Sequence, residues 1–396
     1  MPLNLTETLS DLVSLPSVNP MGRPVSGPEF LEYRVTEYLE RLFDRLSLPW
    51  QRQTVEPQRD NIVARFDGDV PATEGGRLVL LEAHQDTVPV DGMTIPPWTP
   101  EVRDGRIYGR GTCDIKGGMT AMLVALARLV EERPSGRPTI MMACSVNEEH
   151  GYSGIQALTR LWSEPGKSIF PRAPDVAVVA EPTSMQVVVA HKGALRWRCH
   201  THGRAAHSSQ PHLGDNAVYK MGAVLAAMQA YAREFAPRVA AHRLCGQATL
   251  SVGMIHGGIS VNTVPDRCTI EIDRRVLPGE QSLAVYREVI DYVNACPGVP
   301  ADIEHEKPYI MGVPLSDEHN GPLAEQLATV GRSVIDKCQI VGVPYGTNAA
   351  TIAASGVPAV VFGPGSIDQA HTADEWLSLA ELTRASEILY RFARGG

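Results

Sequence analysis

Leu78-Val-Leu-Leu-Glu-Ala-His84-Gln-Asp86-Thr-Val-Pro89 sets an apolar run directly before a His-x-Asp pair. The run reads as a buried strand, because a parallel sheet covered on both faces is built from short Val/Ile/Leu-rich segments. By itself the pair is an ordinary loop feature. Three further segments repeat the layout. Thr139 to Ser145 leads into Asn147-Glu148-Glu149, Asp175 to Ala180 into Glu181-Pro182, and Pro358 to Phe362 into the stretch Gly363 to His371. In open α/β sheets the functional groups gather just beyond the carboxyl ends of the strands. Four such strands would deliver His84, Glu148-Glu149, Glu181 and His371 to one rim. Asp114, in Gly109-Arg-Gly-Thr-Cys-Asp114, joins them.

The rest of the chain bounds what this rim can serve. At 396 residues there is enough sequence for two domains and a large core. A net charge of −9 argues against nucleic acid or an anionic membrane as the main partner. No apolar run approaches the roughly 20 residues of a transmembrane helix. The N-terminal Met-Pro-Leu-Asn-Leu-Thr-Glu-Thr lacks a basic and an apolar export region. Cys113, Cys144, Cys199, Cys245, Cys268, Cys296 and Cys338 stand singly, without a C-x-x-C pair. That spacing suits reduced thiols in a cytoplasm.

Alternating strands and helices up to about residue 186 predict an α/β fold with a mostly parallel sheet flanked by helices. Gly117 to Glu132, rich in Ala, Leu and Met, reads as a helix starting just after Asp114. From His191 to His305 the character changes. Strands at 195–201, 248–255, 268–273 and 301–306 and helices at 217–236 and 282–296 give a βαββαβ order, the ferredoxin-like arrangement. The second helix is expected to bury Leu283, Tyr286, Ile290 and Val293. Residues 1–190 and 306–396 would then form one domain, and 191–305 an inserted α+β lid or dimerisation domain.

Each rim residue alone has an ordinary explanation. A Glu-Glu pair is usually solvated, Glu181 could belong to a turn, and Asp114 could cap a helix. Their convergence carries the argument, because imidazoles and carboxylates are ligands that Zn²⁺ accepts.

With these residues placed, the chain resembles the acetylornithine deacetylase and succinyl-diaminopimelate desuccinylase family of co-catalytic zinc hydrolases, over nearly its whole length. The resemblance implies two zinc ions, with cobalt as a substitute. It gives His84, Asp114 and Glu181 to one ion and Asp114, Glu149 and His371 to the other, so that Asp114 bridges. Glu148 becomes the general base, and Asp86 the carboxylate that orients His84. In the lid, Gly203-Arg-Ala-Ala-His207 matches the family's catalytic histidine motif, which reaches into a partner subunit's site and implies a homodimer. Asn262 and Arg275 match substrate-holding positions, as does Thr347. His200, His202 and His212 read as surface histidines, and Arg274 as a surface charge facing away from Arg275.

The implied substrate is a small N-acyl amino acid. The stretch Gly363 to Glu375, with Ala190-His-Lys-Gly193 and Glu181-Pro-Thr-Ser184, looks most like the acetylornithine deacetylase branch. Asn348 departs from the acidic residue expected after Thr347. Desuccinylase, aminoacylase and dipeptidase or carboxypeptidase activities share the chemistry. A catalytically silent amino-acid-binding protein would lack a base or ligand, and none is missing. Nothing in the sequence announces a basic or hydrophobic docking face.

Overall fold

A computed structural model describes residues 3–163, 168–235 and 240–395. The chain forms two compact units. One comprises the chain up to Val189 with Ser316–Val341 and Thr347 onward, the other Ala190–Leu315 with Gly342–Gly346. The second unit runs past the expected 305/306 boundary because Ile310–Met311 still pairs with the strand Gly193–His202.

The first unit is organised by an eight-stranded sheet. Its order is Trp50–Glu56, Arg59–Phe66, Thr139–Ser145, Leu78–His84, Val176–Val179, Ala359–Val361, Val187–His191 and Ile340–Val343. The four strands from Thr139–Ser145 to Ala359–Val361 are mutually parallel, and they are the four read from the sequence. Every residue of Thr139–Ser145 and Leu78–His84 is buried, which explains why both are mainly apolar without alternation. The hairpin Trp50–Glu56 with Arg59–Phe66 adds antiparallel strands on one side. The helix Lys116–Glu132 is buried around most of its circumference and packs on Leu379–Ala393. Such a helix needs an Ala-, Leu- and Met-rich sequence without a polar face.

The second unit has the expected βαββαβ order. Its antiparallel sheet runs Thr249–Gly257, Arg267–Val276, Gly193–His202, Glu304–His305, with the helices Ala217–Ala230 and Ser282–Ala295 supplying core residues. The first helix passes into a π-helical turn at Tyr231–Phe235, and its expected end at Ala236 lies outside the described residues.

Four expectations need correction here. Arg274 is fully buried and pairs with Glu280 at 2.7 Å. Strand alternation does turn it away from Arg275, but its neighbours Ile270 and Ile272 show that this face belongs to the core. In the helix Ser282–Ala295 the buried stripe is Val285, Val289 and Val293, and Leu283 is half exposed. His200 is buried, bonded to Thr269 Oγ1 and Glu306 Oε1 at 2.8 Å each. The second unit also exposes apolar side chains. Met254 and Ile255 lie on the edge strand, while Ile259 and Val261 are 93% and 99% exposed.

Candidate metal centre

Three of the parallel strands place side chains directly at one rim. His84 closes its strand, Glu148 and Glu149 follow Thr139–Ser145, and Glu181 follows Val176–Val179. His371 arrives on the longer segment after Ala359–Val361. That segment lies against the Glu181 backbone, since a Cβ at Gly363 would stand 2.5 Å from the Glu181 carbonyl oxygen. Asp114 comes from the turn before the helix Lys116–Glu132. Gly111 in that turn has φ +85°, a left-handed conformation that suits glycine.

The ligand atoms fall into two groups sharing Asp114. They are His84 with Asp114 and Glu181, and Asp114 with Glu149 and His371, the atoms of each group lying within 4.8 Å of one another. Asp114 divides its oxygens between them. Oδ1 lies 3.2 Å from His84 Nε2, and Oδ2 lies 3.3 Å from His371 Nε2. Glu181 Oε1 is 4.0 Å from His84 Nε2, and Glu149 Oε2 is 3.4 Å from His371 Nε2. His371 itself has φ +63°, unusual for a residue with a side chain.

Three observations show that this donor set fits divalent cations. His84 Nδ1 lies 2.9 Å from the Asp86 carbonyl oxygen, which can only accept, so Nδ1 carries the proton. In the neutral ring this leaves the Nε2 lone pair facing Asp114 and Glu181. Second, Glu149 Oε1 and Glu181 Oε1 are buried without any hydrogen-bond partner, a costly state for a carboxylate unless a cation compensates it. Third, burial, reinforced by the neighbouring Asp114 charge, pushes the Glu148, Glu149 and Glu181 carboxyls up. Hydrogen bonds to Asp114 and Glu149 lift His371 to about 10. Protons thus gather where cations would sit.

Asp86 holds the rim from beneath. Its carbonyl makes the contact to His84, while its carboxylate stands 3.5 Å from the same Nδ1. The main-chain carbonyl is thus the nearer contact, with the expected carboxylate beside it. The carboxylate also accepts the amides of Glu148 and Glu149 at 3.0 Å each and Asn19 Nδ2 at 2.8 Å. Glu32 accepts the amide of Asn147 at 3.2 Å and pairs with Arg59 at 2.6 Å. Asn19, Glu32 and Arg59 carried no sequence signal, since their polar contacts join segments far apart in the chain and leave no pattern within any one of them.

The remaining expected residues are placed as follows. Thr347 is buried, and its Oγ1 accepts the Ala349 amide at 3.2 Å. Asn348 points inward, donating to Glu82 Oε1 and Ser145 Oγ at 3.1 Å each. In the second unit, His207 and Asn262 are brought onto neighbouring loops. His207 bridges to Thr263, and the Ser208 amide donates to the Asn262 carbonyl at 3.0 Å. His207 is exposed, and its Nδ1 accepts the Ser209 amide at 3.2 Å, so the neutral ring carries its proton on Nε2. Arg275 pairs with Asp273 at 2.8 Å.

An α/β unit whose strand ends present two histidine–carboxylate groups joined by one aspartate is the architecture of a hydrolase with paired metal positions. The chain belongs to peptidase family M20/M25/M40, whose model matches residues 80–395. It is 29% identical over 381 residues to an acetylornithine deacetylase of Vibrio campbellii, covering 90% of each chain. It is 27% identical over 379 residues to a probable succinyl-diaminopimelate desuccinylase of Staphylococcus epidermidis, covering 87% of this chain and 88% of the other. Among solved structures, the M20 family metallo-carboxypeptidase Sso-CP2 of Sulfolobus solfataricus shares the fold with a TM-score of 0.80. That match has 16% identity and covers 99% of both chains.

Proposed function

We propose that the protein is a two-metal amidohydrolase that removes an N-acyl group from an amino acid, most like an acetylornithine deacetylase. The observation that carries this reading is Asp114, whose two oxygens face different histidines. His84, Asp114 and Glu181 would hold one zinc ion, and Asp114, Glu149 and His371 the other, with cobalt able to substitute. When bound, such ions acidify water toward a pKa of about 7 and polarise the amide carbonyl.

The chain's own groups supply the rest. Glu148 belongs to neither ligand group yet is fixed by the amide contact to Asp86, so its carboxylate is free to take the proton of the attacking water. It then passes that proton to the departing nitrogen. The partner's His207 would donate from Nε2 to the developing oxyanion, with Asn262 and Arg275 holding the substrate and Thr347 shaping its site. This requires a homodimer joined through the second unit. Support comes from its edge strand and the exposed Met254, Ile255, Ile259 and Val261, the kind of surface that pairs with another chain. Amino-acid biosynthesis in the cytoplasm is the proposed setting, supported by cysteines that stand singly in the sequence without a C-x-x-C pair.

One observation favours a second reading. Asn348 is neutral and turned inward, so that position offers no acidic partner for a cationic ornithine side chain. An aminoacylase acting on neutral N-acyl amino acids fits that feature. A hydrolysis screen of N-acetyl and N-succinyl amino acids and dipeptides, with zinc or cobalt added, tests both. The first reading expects N-acetylornithine to have the highest kcat/KM, and the second expects an N-acyl neutral amino acid. Two bound ions without hydrolysis of any linear amide would refute the enzyme reading.

A further inference from the structure

Glu375 lies four residues beyond His371, and the chemistry above makes no use of it. Its side chain is fully buried and directed at the turn that carries Asp114. Oε1 accepts the amides of Cys113 at 2.8 Å and Asp114 at 3.0 Å. Oε2 accepts the amide of Gly111 at 3.0 Å and Arg110 Nη1 at 2.7 Å. The Glu375 carbonyl also accepts the Gly109 amide at 3.0 Å. The turn from Gly109 to Asp114 is therefore folded around one residue. The strand Trp376–Ser378 follows and pairs with Arg106–Tyr108, which fixes Glu375 in register with the chain entering the turn.

We infer that Glu375 is the positioning residue that sets the bridging orientation of Asp114, and so controls both metal positions at once. It fixes the backbone from which Asp114 projects, so that Oδ1 meets His84 and Oδ2 meets His371. Only a carboxylate can do this, because all four side-chain contacts are from donors. A glutamine amide would turn its own N–H groups on Cys113 and Asp114, or on Gly111 and Arg110. The ion pair with Arg110 is the competing explanation, since it could serve stability alone. Removing Arg110 separates the two, for it leaves the three amide contacts in place.

The inference rests on the two-metal reading, and metal binding by folded, metal-free protein tests it. Cobalt titration, followed by visible absorption and calorimetry, should find two ions in the wild type. Glu375→Gln should weaken both together by about 10–100-fold, the usual effect of removing support behind a ligand. Arg110→Met should lower thermal stability while keeping both affinities near wild type. A Glu375→Gln protein that binds two ions as tightly as wild type overturns the inference alone, as does an Arg110→Met protein that loses as much affinity as Glu375→Gln. A wild type that binds fewer than two ions overturns the two-metal reading and this inference with it. If Glu375→Gln does not fold, amide exchange in metal-free wild type decides. The amides of Gly111, Cys113 and Asp114 should be protected before any cobalt is added. Free exchange until cobalt binds would mean the ion, and not Glu375, organises the turn.

Discussion

Asp86 Oδ1 accepts the backbone amide of Glu148 at 3.0 Å, across 62 positions of sequence. The same residue contacts the His84 ring through its carbonyl oxygen. Asp86 therefore fixes a proposed ligand and the proposed base relative to each other. Asp86→Asn keeps the size and removes one acceptor, setting an amide group against Glu148 N–H, or against Glu149 N–H and Asn19. Metal affinity should fall by about 10–100-fold, with a further loss in kcat at saturating metal as Glu148 shifts. Cobalt titration beside steady-state kinetics reads both effects. Wild-type values for each would show that Asp86 is a bystander.

His191 yields a prediction about pH. Its side chain is fully buried, and Nδ1–H donates to the Lys192 carbonyl at 2.9 Å. Burial pushes its pKa down from 6.5 to about 4. The unfolded chain thus binds a proton below about pH 6.5 that the folded chain refuses until about pH 4. The stability from keeping His191 neutral is complete above pH 6.5 and is lost as pH falls toward 4, by about 3 kcal/mol. Denaturant unfolding of metal-free His191→Phe should vary less steeply with pH in that window than metal-free wild type. Equal slopes would contradict the assignment.

The sequence exposed the rim because each central strand is an apolar run ending in a chemically distinctive side chain. It could not expose what supports the rim. Asn19, Glu32, Arg59 and Glu375 act through polar contacts with distant segments, which leave no periodicity. Periodicity also failed to identify which face is covered. It separated Arg274 from Arg275, but the helices cover the Arg274 side. In the helix Ser282–Ala295 packing buries Val285 and Val289 beside the expected Val293 and leaves the expected Leu283 half exposed.

The proposed roles of Glu148 and His207 can be tested in one experiment. Glu148→Gln should keep both ions and lose about 10²–10⁴-fold in kcat. His207→Ala should also keep both ions and slow turnover by about 3–4 kcal/mol of oxyanion stabilisation. Mixing the two inactive chains should restore part of the activity, because one site of the mixed dimer combines an intact Glu148 with the partner's intact His207. Mixed dimers without recovery would mean that His207 acts within its own chain or not at all.

The central claim is that Asp114 joins two metal positions. Metal titration of four proteins tests it most directly: wild type, Glu181→Gln, Glu149→Gln and Asp114→Asn. Wild type should bind two divalent ions per chain. Glu181→Gln and Glu149→Gln should each weaken one ion, and Asp114→Asn should weaken both, with hydrolysis lost in step. An Asp114→Asn protein that holds one ion at wild-type affinity, or a fully metal-free wild type that still hydrolyses amides, would contradict it.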